Sequence, residues 1–390
     1  MKARVHQAHL IAASKWNIAA IGVGLFAGSL GIYMVPLQIG ALIEGLGLAE
    51  SRAGILGAAE VGAMSLTAII ISPFLSSWSR SRTAVLGVLF AAACELLTAF
   101  SQEMALLLPL RIAVGIGCGC AFAGACSSAA SSTEPDRNFG IGQGIMNSIF
   151  FVLFLVVPYS MTYGIHRGLF LSLMLILLLT LPMYRYFINA PGSTDGEITG
   201  KASIRWSLAG LHILATILVN VGLGALWAFV ERMGTQNVGL SVEEMGRVLS
   251  MATIFMVSGS LFAAWLGTRL GRAVPLALAS VICAVAAVMV TRASTLELFA
   301  TGLFIYNFFY LFIGPYIIAG TASALDPSGR LAAAMGGVMF FSYSVGIGTG
   351  GFIAELVSLS GIGNLALVSC LLAAPLFVFV SIRLEKGSGN

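Results

Sequence analysis

Charged residues are scarce in this chain of 390 residues. Asp, Glu, Lys and Arg together make up 9% of it, whereas apolar residues make up 58%. Because a soluble domain carries about 25% charged residues, this chain has too few of them to form a fully hydrated surface. The net charge of +4 is small and the basic residues are scattered singly, which gives no case for nucleic acid as a partner. The composition therefore predicts a protein embedded in a lipid bilayer.

Metal, nucleotide and catalytic motifs are also missing. The six cysteines form no C-x-x-C pair and stand near no histidine cluster, so we expect no metal and no other cofactor. No P-loop pattern G-x-x-x-x-G-K-[ST] occurs, so ATP-driven transport has no support. Two of the four histidines lie in the N-terminal tail, which leaves little material for a nucleophile–base pair. We therefore do not expect an enzyme.

Long apolar runs dominate what is present. A membrane-spanning helix needs about 20 mostly apolar residues, and the sequence predicts twelve such segments. They cover residues 16–40, 52–76, 83–101, 104–131, 139–163, 168–189, 206–231, 242–267, 273–291, 297–323, 330–357 and 361–383. The longest polar stretch lies in the middle of the chain. We therefore predict an all-α polytopic fold with two pseudo-symmetric six-helix bundles, 1–190 and 206–390, joined by a linker, 191–205.

Lysine and arginine are distributed unevenly along this predicted topology. With the N-terminus in the cytoplasm, fourteen of the 20 basic residues fall in inner segments and five in outer segments. Since an excess of Lys and Arg marks cytoplasmic loops, both termini are predicted to be cytoplasmic. The predicted location is the plasma membrane of a bacterium, that is, its inner membrane, crossed many times.

Two stretches of the chain resemble each other at an offset of 192 residues. Gly54 pairs with Gly246 and Arg80 pairs with Arg272, and in each copy an apolar span runs into a short basic turn. A membrane chain that repeats itself in halves is typical of a transporter, because two similar bundles can rock against each other.

The basic turn after helix 2 carries a resemblance to a known family. Twelve helices in two halves, a central cytoplasmic linker and basic turns after helices 2 and 8 resemble the major facilitator superfamily. That family's signature after helix 2 is G-x-x-x-D-x-x-G-R-[KR]. The first copy here keeps Arg80, but the family's Gly, Asp and Gly positions hold Ser72, Ser76 and Ser79.

The second copy departs from the signature in a similar way. It keeps Gly271 and Arg272 but has Ala264 and Thr268 at the other two positions. In the family the Asp of this turn helps to latch the two halves, so the resemblance implies a weaker or differently built latch here. The gating-turn candidates are Arg80, Arg82, Arg269, Gly271 and Arg272.

Helix 4 carries a second resemblance. Arg111, Gly115 and Gly117 form an R-x-x-x-G-x-G segment similar to that of the drug–proton antiporter branch. The Gly-Pro pair of antiporter helix 5 is absent, because Pro158 follows Val157. The resemblance implies a secondary transporter of small organic molecules that works by alternating access as a monomer, coupled to protons, with export slightly preferred.

Other functions stay open at this point. The main alternative is a proton symporter or facilitator for uptake of a metabolite such as an organic anion or a sugar-like compound. Arg111 favours this alternative, since an intramembrane arginine can be the counter-ion of an anionic substrate. A non-transporting receptor is a more distant alternative, because no loop exceeds about 20 residues and none offers a soluble signalling segment.

Three ionisable residues lie inside predicted spans, where charge is costly and usually functional. Glu60, Glu95 and Arg111 lie on helices 2, 3 and 4, each roughly 9–12 Å below the outer boundary at 1.5 Å rise per residue. They are predicted to form one cluster, in which Glu60 carries a proton and Arg111 tunes its charge. The alternative is a static ion pair that fixes helix packing. Glu95 is the weakest candidate, because helix 3 is peripheral in the family and its side chain is expected to reach the interface.

Polar side chains on the helices that line or flank the family's central cavity are the substrate candidates. Gln143 and Asn147 are four residues apart and so share one face of helix 5. The full set of candidates is Gln143, Asn147, Asn220, Trp227, Tyr306, Asn307, Tyr310 and Tyr343. Amides with aromatic neighbours suit an uncharged or singly charged organic molecule with a flat or apolar part. Each one alone is more often an interhelical hydrogen bond.

Overall fold

The computed structural model describes residues 15–189, 206–325 and 330–387. Twelve helices in this part of the chain are long and apolar enough to cross a membrane, which confirms the predicted all-α polytopic fold. The predicted linker, 191–205, lies outside the described residues. The protein is therefore a multi-pass integral membrane protein.

The first six membrane helices are named α1 to α6. Their bounds are Lys15–Gly28 and Leu30–Leu46 for the two segments of α1, Glu50–Ile71 for α2, Arg80–Phe100 for α3, Met104–Ala130 for α4, Pro135–Met161 for α5 and Ile165–Thr180 for α6. Short 3₁₀ turns extend α2 over Ser72–Ser76 and α6 over Leu181–Tyr186. The predicted span 16–40 is too short, since α1 continues to Leu46, where Gly47 caps it with a φ of 67°.

The last six membrane helices are named α7 to α12. Their bounds are Trp206–Met233 for α7, Val242–Leu266 for α8, Ala273–Thr291 for α9, Leu296–Pro315 for α10, Arg330–Leu356 for α11 and Leu359–Gly387 for α12. Segments of π-helix extend α7 over Gly234–Val238 and α10 over Tyr316–Ala322, and the short helix Ser323–Leu325 follows the second of them.

The helices divide into two compact units. Unit 1 contains α1, most of α2 and α3 to α6, and unit 2 contains α7 to α12 together with the first turns of α2 up to Ala58. The sequence repeat reappears in the helix boundaries. Glu50 and Val242 begin α2 and α8, and Met104 and Leu296 begin α4 and α10. Both pairs keep the offset of 192, and the bounds of α3 and α9 bracket it, with offsets of 193 at the start and 191 at the end. Residues 192 apart in these three pairs of helices are therefore treated as equivalent positions of the two units.

Local sequence fixes where several helices begin. The Ser79 hydroxyl accepts a hydrogen bond from the Arg82 backbone N–H at the start of α3. Ser241 and Glu244 form a reciprocal capping box at the start of α8. Such caps satisfy backbone N–H groups that have no partner within the helix. In the turn before α9, Gly271 has a φ of 67°, a left-handed conformation that favours glycine.

Candidate functional site

The predicted charged cluster lies inside unit 1. Its three members, Glu60 on α2, Glu95 on α3 and Arg111 on α4, are here called the ion-pair cluster. All three are buried, with exposed fractions of 1%, 0% and 1%. The structure thus brings together the three residues that depth along the helices had grouped.

Arg111 holds the cluster together through its two terminal nitrogens. Nη2 donates to Glu95 Oε2 at 2.6 Å and to the Thr98 hydroxyl at 2.9 Å. Nη1 donates to Glu60 Oε2 at 3.1 Å and to Glu95 Oε1 at 3.3 Å. Glu95 is therefore held by both guanidinium nitrogens, whereas Glu60 is held by one.

The expectation that Glu95 reaches the interface is wrong. Its carboxylate is fully buried and makes the shortest contact to Arg111. The peripheral place of helix 3 in the family says nothing about which face of that helix a given residue occupies. On α3 the apolar residues Leu96 and Leu97 take the exposed face instead, while Glu95 and Thr98 point inward.

Neighbouring polar and aromatic groups complete the surroundings of the cluster. The Gln38 amide on α1 lies 3.5 Å from Glu60 Oε1. The Arg111 guanidinium carbon lies 4.8 Å from the centre of the Phe170 ring on α6, a distance typical of cation–π contact. The Thr98 hydroxyl in turn donates a hydrogen bond to the backbone carbonyl of Cys94 at 2.8 Å. Side chains from α1, α2, α3 and α6 thus surround the guanidinium that α4 provides.

Two glycines create the space that the cluster needs. A Cβ atom at Gly115, one turn after Arg111, would overlap the backbone oxygen of Glu60, so glycine lets α4 approach α2 closely. A Cβ atom at Gly31 on α1 would lie 2.5 Å from Glu60 Oε1. Small residues at such contacts are the usual means of close packing between membrane helices. The R-x-x-x-G segment therefore places the arginine and the close contact on the same helix face.

The charges of the cluster do not balance by themselves. Two carboxylates face one guanidinium, so one negative charge is uncompensated when both acids are ionised, and one bound proton makes the group neutral. An uncompensated buried charge is strongly destabilising. Among the described residues no group of three His, Cys, Asp or Glu side chains has a geometry suited to a metal ion. The arrangement is chemically suited to binding and releasing a proton.

The candidates on α5 lie in a second polar group of unit 1. The Asn147 amide nitrogen donates to the Gln143 backbone carbonyl at 2.8 Å, and its oxygen accepts from the Tyr33 hydroxyl at 3.1 Å. The Tyr33 ring stacks on Phe150 with centres 3.9 Å apart. Asn147 and Tyr33 therefore join α5 to α1, and the Gln143 side chain is half-buried.

Two amide candidates in unit 2 present carbonyl oxygens. Asn220 on α7 and Asn307 on α10 are buried, and each donates from its amide nitrogen to a backbone carbonyl of its own helix, Thr216 or Leu303, at 2.8 Å. Neither amide oxygen has a hydrogen-bond partner among the described residues. Each is thus a buried acceptor whose hydrogen-bonding capacity the described residues leave unused.

The aromatic candidates of unit 2 form a row. The ring centres of Tyr306 and Tyr310 are 6.1 Å apart, and those of Tyr310 and Tyr343 are 6.0 Å apart. The Tyr306 hydroxyl donates to the Leu223 backbone carbonyl at 2.7 Å, so that residue joins α10 to α7. Trp227 on α7 is 2% exposed and packs in the interior.

The gating-turn candidates fall into different environments. Arg80 is buried and donates from Nη1 to the Ser131 hydroxyl and the Ile188 carbonyl, at 2.9 and 2.7 Å, so it ties together helices of its own unit. Arg82 is exposed. In unit 2 the Arg269 guanidinium lies 5.0 Å from the centre of the Trp265 ring. Gly271 provides the left-handed residue of the turn, and Arg272 follows it immediately.

Sequence reasoning missed several residues around these sites. Thr98 is three residues after Glu95 and hence on the same helix face, a signal that was available. Gln38 and Tyr33 lie on α1 among apolar neighbours, and only contacts between helices reveal their roles. Unit 2 also buries a charge at the end of α7, where Arg232 Nη2 lies 4.0 Å from Glu50 Oε1.

Comparison with known proteins identifies the family. Residues 19–351 match the family model described as Major Facilitator Superfamily. The chain belongs to this superfamily. No curated protein matches the sequence. As a major facilitator, the protein is a transporter of the secondary kind, which confirms that part of the predicted function.

Solved structures of other major facilitators share the fold. The chain is similar to a mutant of the peptide transporter POT, with 14% identity, a TM-score of 0.70 and coverage of 95% of this chain and 94% of that one. It is also similar, with 12% identity and a TM-score of 0.70, to a POT family transporter in complex with a thioalcohol-conjugated peptide; the coverages are 95% and 96%. A mutant of the nucleoside transporter NupG gives 12% identity, a TM-score of 0.70 and coverages of 95% and 98%.

Proposed function

We propose that this major facilitator couples transport of a small organic molecule to proton movement, with Glu60 as the proton carrier. The observation that carries the proposal is the ion-pair cluster, in which two buried carboxylates share one guanidinium. One proton neutralises the cluster, and its release leaves a buried negative charge. Such a site favours different arrangements of its helices in its two protonation states.

Glu60 is the acid that exchanges the proton. Glu95 keeps contacts of 2.6 and 3.3 Å to Arg111, whereas Glu60 keeps one contact, at 3.1 Å, and a longer one of 3.5 Å to Gln38. Protonation of Glu60 therefore breaks the weaker half of the cluster. The pair between Arg111 and Glu95 continues to hold α3 against α4, while α2 is released from α4.

The substrate class follows from the remaining candidates. Two buried amide oxygens and a row of tyrosines in unit 2, with Tyr33 and Asn147 in unit 1, suit a molecule with donor groups and a flat or apolar part. The alternative in which Arg111 binds an anionic substrate has less support, because its terminal nitrogens are already occupied by Glu60, Glu95 and Thr98.

The proposal also includes the direction of transport, the location of the protein and its functional form. Export is supported by the resemblance of helix 4 to the drug–proton antiporter branch. The excess of Lys and Arg in alternate segments supports a bacterial inner-membrane location with both termini in the cytoplasm. A monomer is proposed as the functional form.

Proton flux in proteoliposomes tests the proposal. The purified chain would be reconstituted with an internal pH dye and challenged with a panel of organic cations, organic anions, neutral aromatics, a dipeptide and a nucleoside. We expect at least one compound to change the internal pH, with a sign that separates export from uptake. In Glu60→Gln the pH change should disappear while exchange of the labelled compound continues.

A matched control uses an exposed acid. Glu103 precedes α4, is exposed and makes no capping hydrogen bond. Glu103→Gln removes the same charge and should leave the pH change intact. If Glu60→Gln behaves like Glu103→Gln, Glu60 is a packing residue and the proton role is wrong.

A further inference from the structure

A groove of about 490 Å³ runs along the outside of unit 1 between α3 and α4. Its floor includes Gly87 and Gly117, and a Cβ atom at Gly117 would overlap the Gly87 backbone oxygen. The two glycines therefore bring the helix backbones together and leave a depression above them. Its apolar walls include Leu86, Phe90 and Ile116, all exposed. In a membrane-spanning chain, exposed apolar side chains of this kind contact lipid.

One end of the groove is polar and cationic. Trp78, Ser79 and Arg82 line it where α3 begins, at the end of the membrane span. Arg82 is the one charged residue among those that line the groove. Its guanidinium is exposed and makes no ion pair, hydrogen bond or ring contact within the described part of the chain. Trp78 is exposed beside it, as is usual for tryptophan at the level of lipid headgroups.

We propose that this groove binds an anionic phospholipid. The phosphate lies on the Arg82 guanidinium, whose planar fork of donors matches phosphate oxygens. One acyl chain lies in the groove along Leu86, Phe90 and Ile116. Because no acidic side chain lines the groove, the site carries an uncompensated positive charge and favours a lipid with net negative charge over a zwitterionic one.

The equivalent positions of unit 2 provide neither half of such a site. At the offset of 192, Val274 takes the place of Arg82, so the cation is missing. The positions equivalent to Ile116, Gly117 and Cys120 hold Phe308, Phe309 and Phe312, whose rings contact one another. In unit 2, bulky aromatic rings therefore stand at the positions that form the floor of the groove in unit 1. The lipid site is therefore a feature of unit 1, and it is independent of the proton role proposed for Glu60.

Native mass spectrometry of the full chain in detergent tests the site. The purified protein would be titrated with phosphatidylglycerol and, separately, with phosphatidylethanolamine carrying the same acyl chains. We expect the first phosphatidylglycerol to bind about tenfold more tightly than phosphatidylethanolamine, because both lipids offer a phosphate to Arg82 but the ammonium group of phosphatidylethanolamine offsets that attraction. Arg82→Gln should remove this preference, and Cys120→Phe, which fills the floor as in unit 2, should weaken binding of both lipids.

The control is another exposed arginine at the same end of unit 1. Arg185 lies over the Tyr186 ring, 4.6 Å from its centre, and does not line the groove. Arg185→Gln should keep the preference for phosphatidylglycerol. Equal binding of the two lipids, or an equal loss in both arginine variants, would overturn the proposal. A dimer that Cys120→Phe dissociates would also overturn it, because the groove would then be an interface between copies of this chain.

Discussion

The two units contain equivalent helices but bury different residues between them. In unit 1 the ion-pair cluster occupies three buried positions on α2, α3 and α4. The equivalent positions on α8, α9 and α10, each 192 residues later, hold Ala252, Ala287 and Leu303, and these are just as buried. Thr98, which supports the cluster, is likewise matched by the buried Val290. A six-helix bundle of this kind therefore needs no buried charge at these positions in order to fold.

The comparison favours a functional role for the charges over a packing role. If the cluster served only to hold helices together, apolar residues would do the same, as they do in unit 2. Buried ion pairs are often no more stabilising than apolar residues of similar volume. Among the described residues, the ion-pair cluster is thus a property of unit 1, and unit 1 is the proposed place of proton coupling.

The largest expected effect comes from removing the shared cation. Arg111→Leu introduces the residue found at the equivalent position of unit 2, but it leaves two acids buried without a partner. Breaking a buried pair in this way destabilises by about 3–5 kcal/mol. The midpoint of thermal unfolding in detergent should fall steeply. An unchanged midpoint would contradict the view that Arg111 neutralises the acids.

A smaller loss is expected where the backbones of α2 and α4 meet. Gly115→Ala places a methyl group against the Glu60 carbonyl, so the helices must separate, which costs about 1–3 kcal/mol. The same unfolding measurement detects it. Gly144→Ala on α5 is the control, since a Cβ atom there meets nothing within 4 Å. The control should be neutral or more stable, because alanine favours helix. Equal effects of the two changes would show that no close contact exists at Gly115.

The Thr98 hydroxyl, which accepts a hydrogen bond from Arg111, should contribute less to the free energy of unfolding. Thr98→Val again copies unit 2 and removes one hydrogen bond to Arg111, an expected loss of about 1 kcal/mol. Thr253→Val in unit 2 is matched to it, because that buried hydroxyl bonds to the Ser250 carbonyl at 2.7 Å. If the Thr253 variant loses more stability than the Thr98 variant, the bond to Arg111 adds nothing.

The smallest expected effect on stability belongs to the variant with the most substitutions. Changing Glu60→Leu, Glu95→Leu and Arg111→Met together gives unit 1 an apolar interior like that of unit 2. No charge is left unpaired, so the triple variant should be about as stable as the unaltered chain, while the compound-dependent proton flux should be absent. A triple variant that still moves protons would place the coupling site elsewhere.

The sequence predicted the helices better than it predicted their contacts. The span predicted at 273–291 coincides with α9, because an apolar run bounded by polar turns fixes both ends. The end of α1 was missed, since its last turn contains Glu44 and Gly45 and continues beyond the apolar run. Hydropathy therefore locates a helix end only where the apolar run and the helix stop at the same polar turn.

The sequence predicted how deep in the membrane the candidate residues lie, but not which face of its helix each residue occupies. Counting residues placed Glu60, Glu95 and Arg111 at one level, and the structure joins them there. Which way Glu95 faces depends on how α3 packs in the bundle, and a weak amphipathic pattern does not report this. The contributions of Gln38 and Phe170 depend on which helices are neighbours, which one sequence does not contain.

The order of the charged residues along the chain also has a consequence for biogenesis. Arg111 follows Glu60 by 51 residues, and Glu95 lies between them. During synthesis the acids therefore enter the membrane first, on two successive helices, and the guanidinium arrives last. Since a lone charge at membrane depth is costly, we expect α2 and α3 to complete their insertion when α4 joins them. These three helices are expected to leave the insertion machinery as one group.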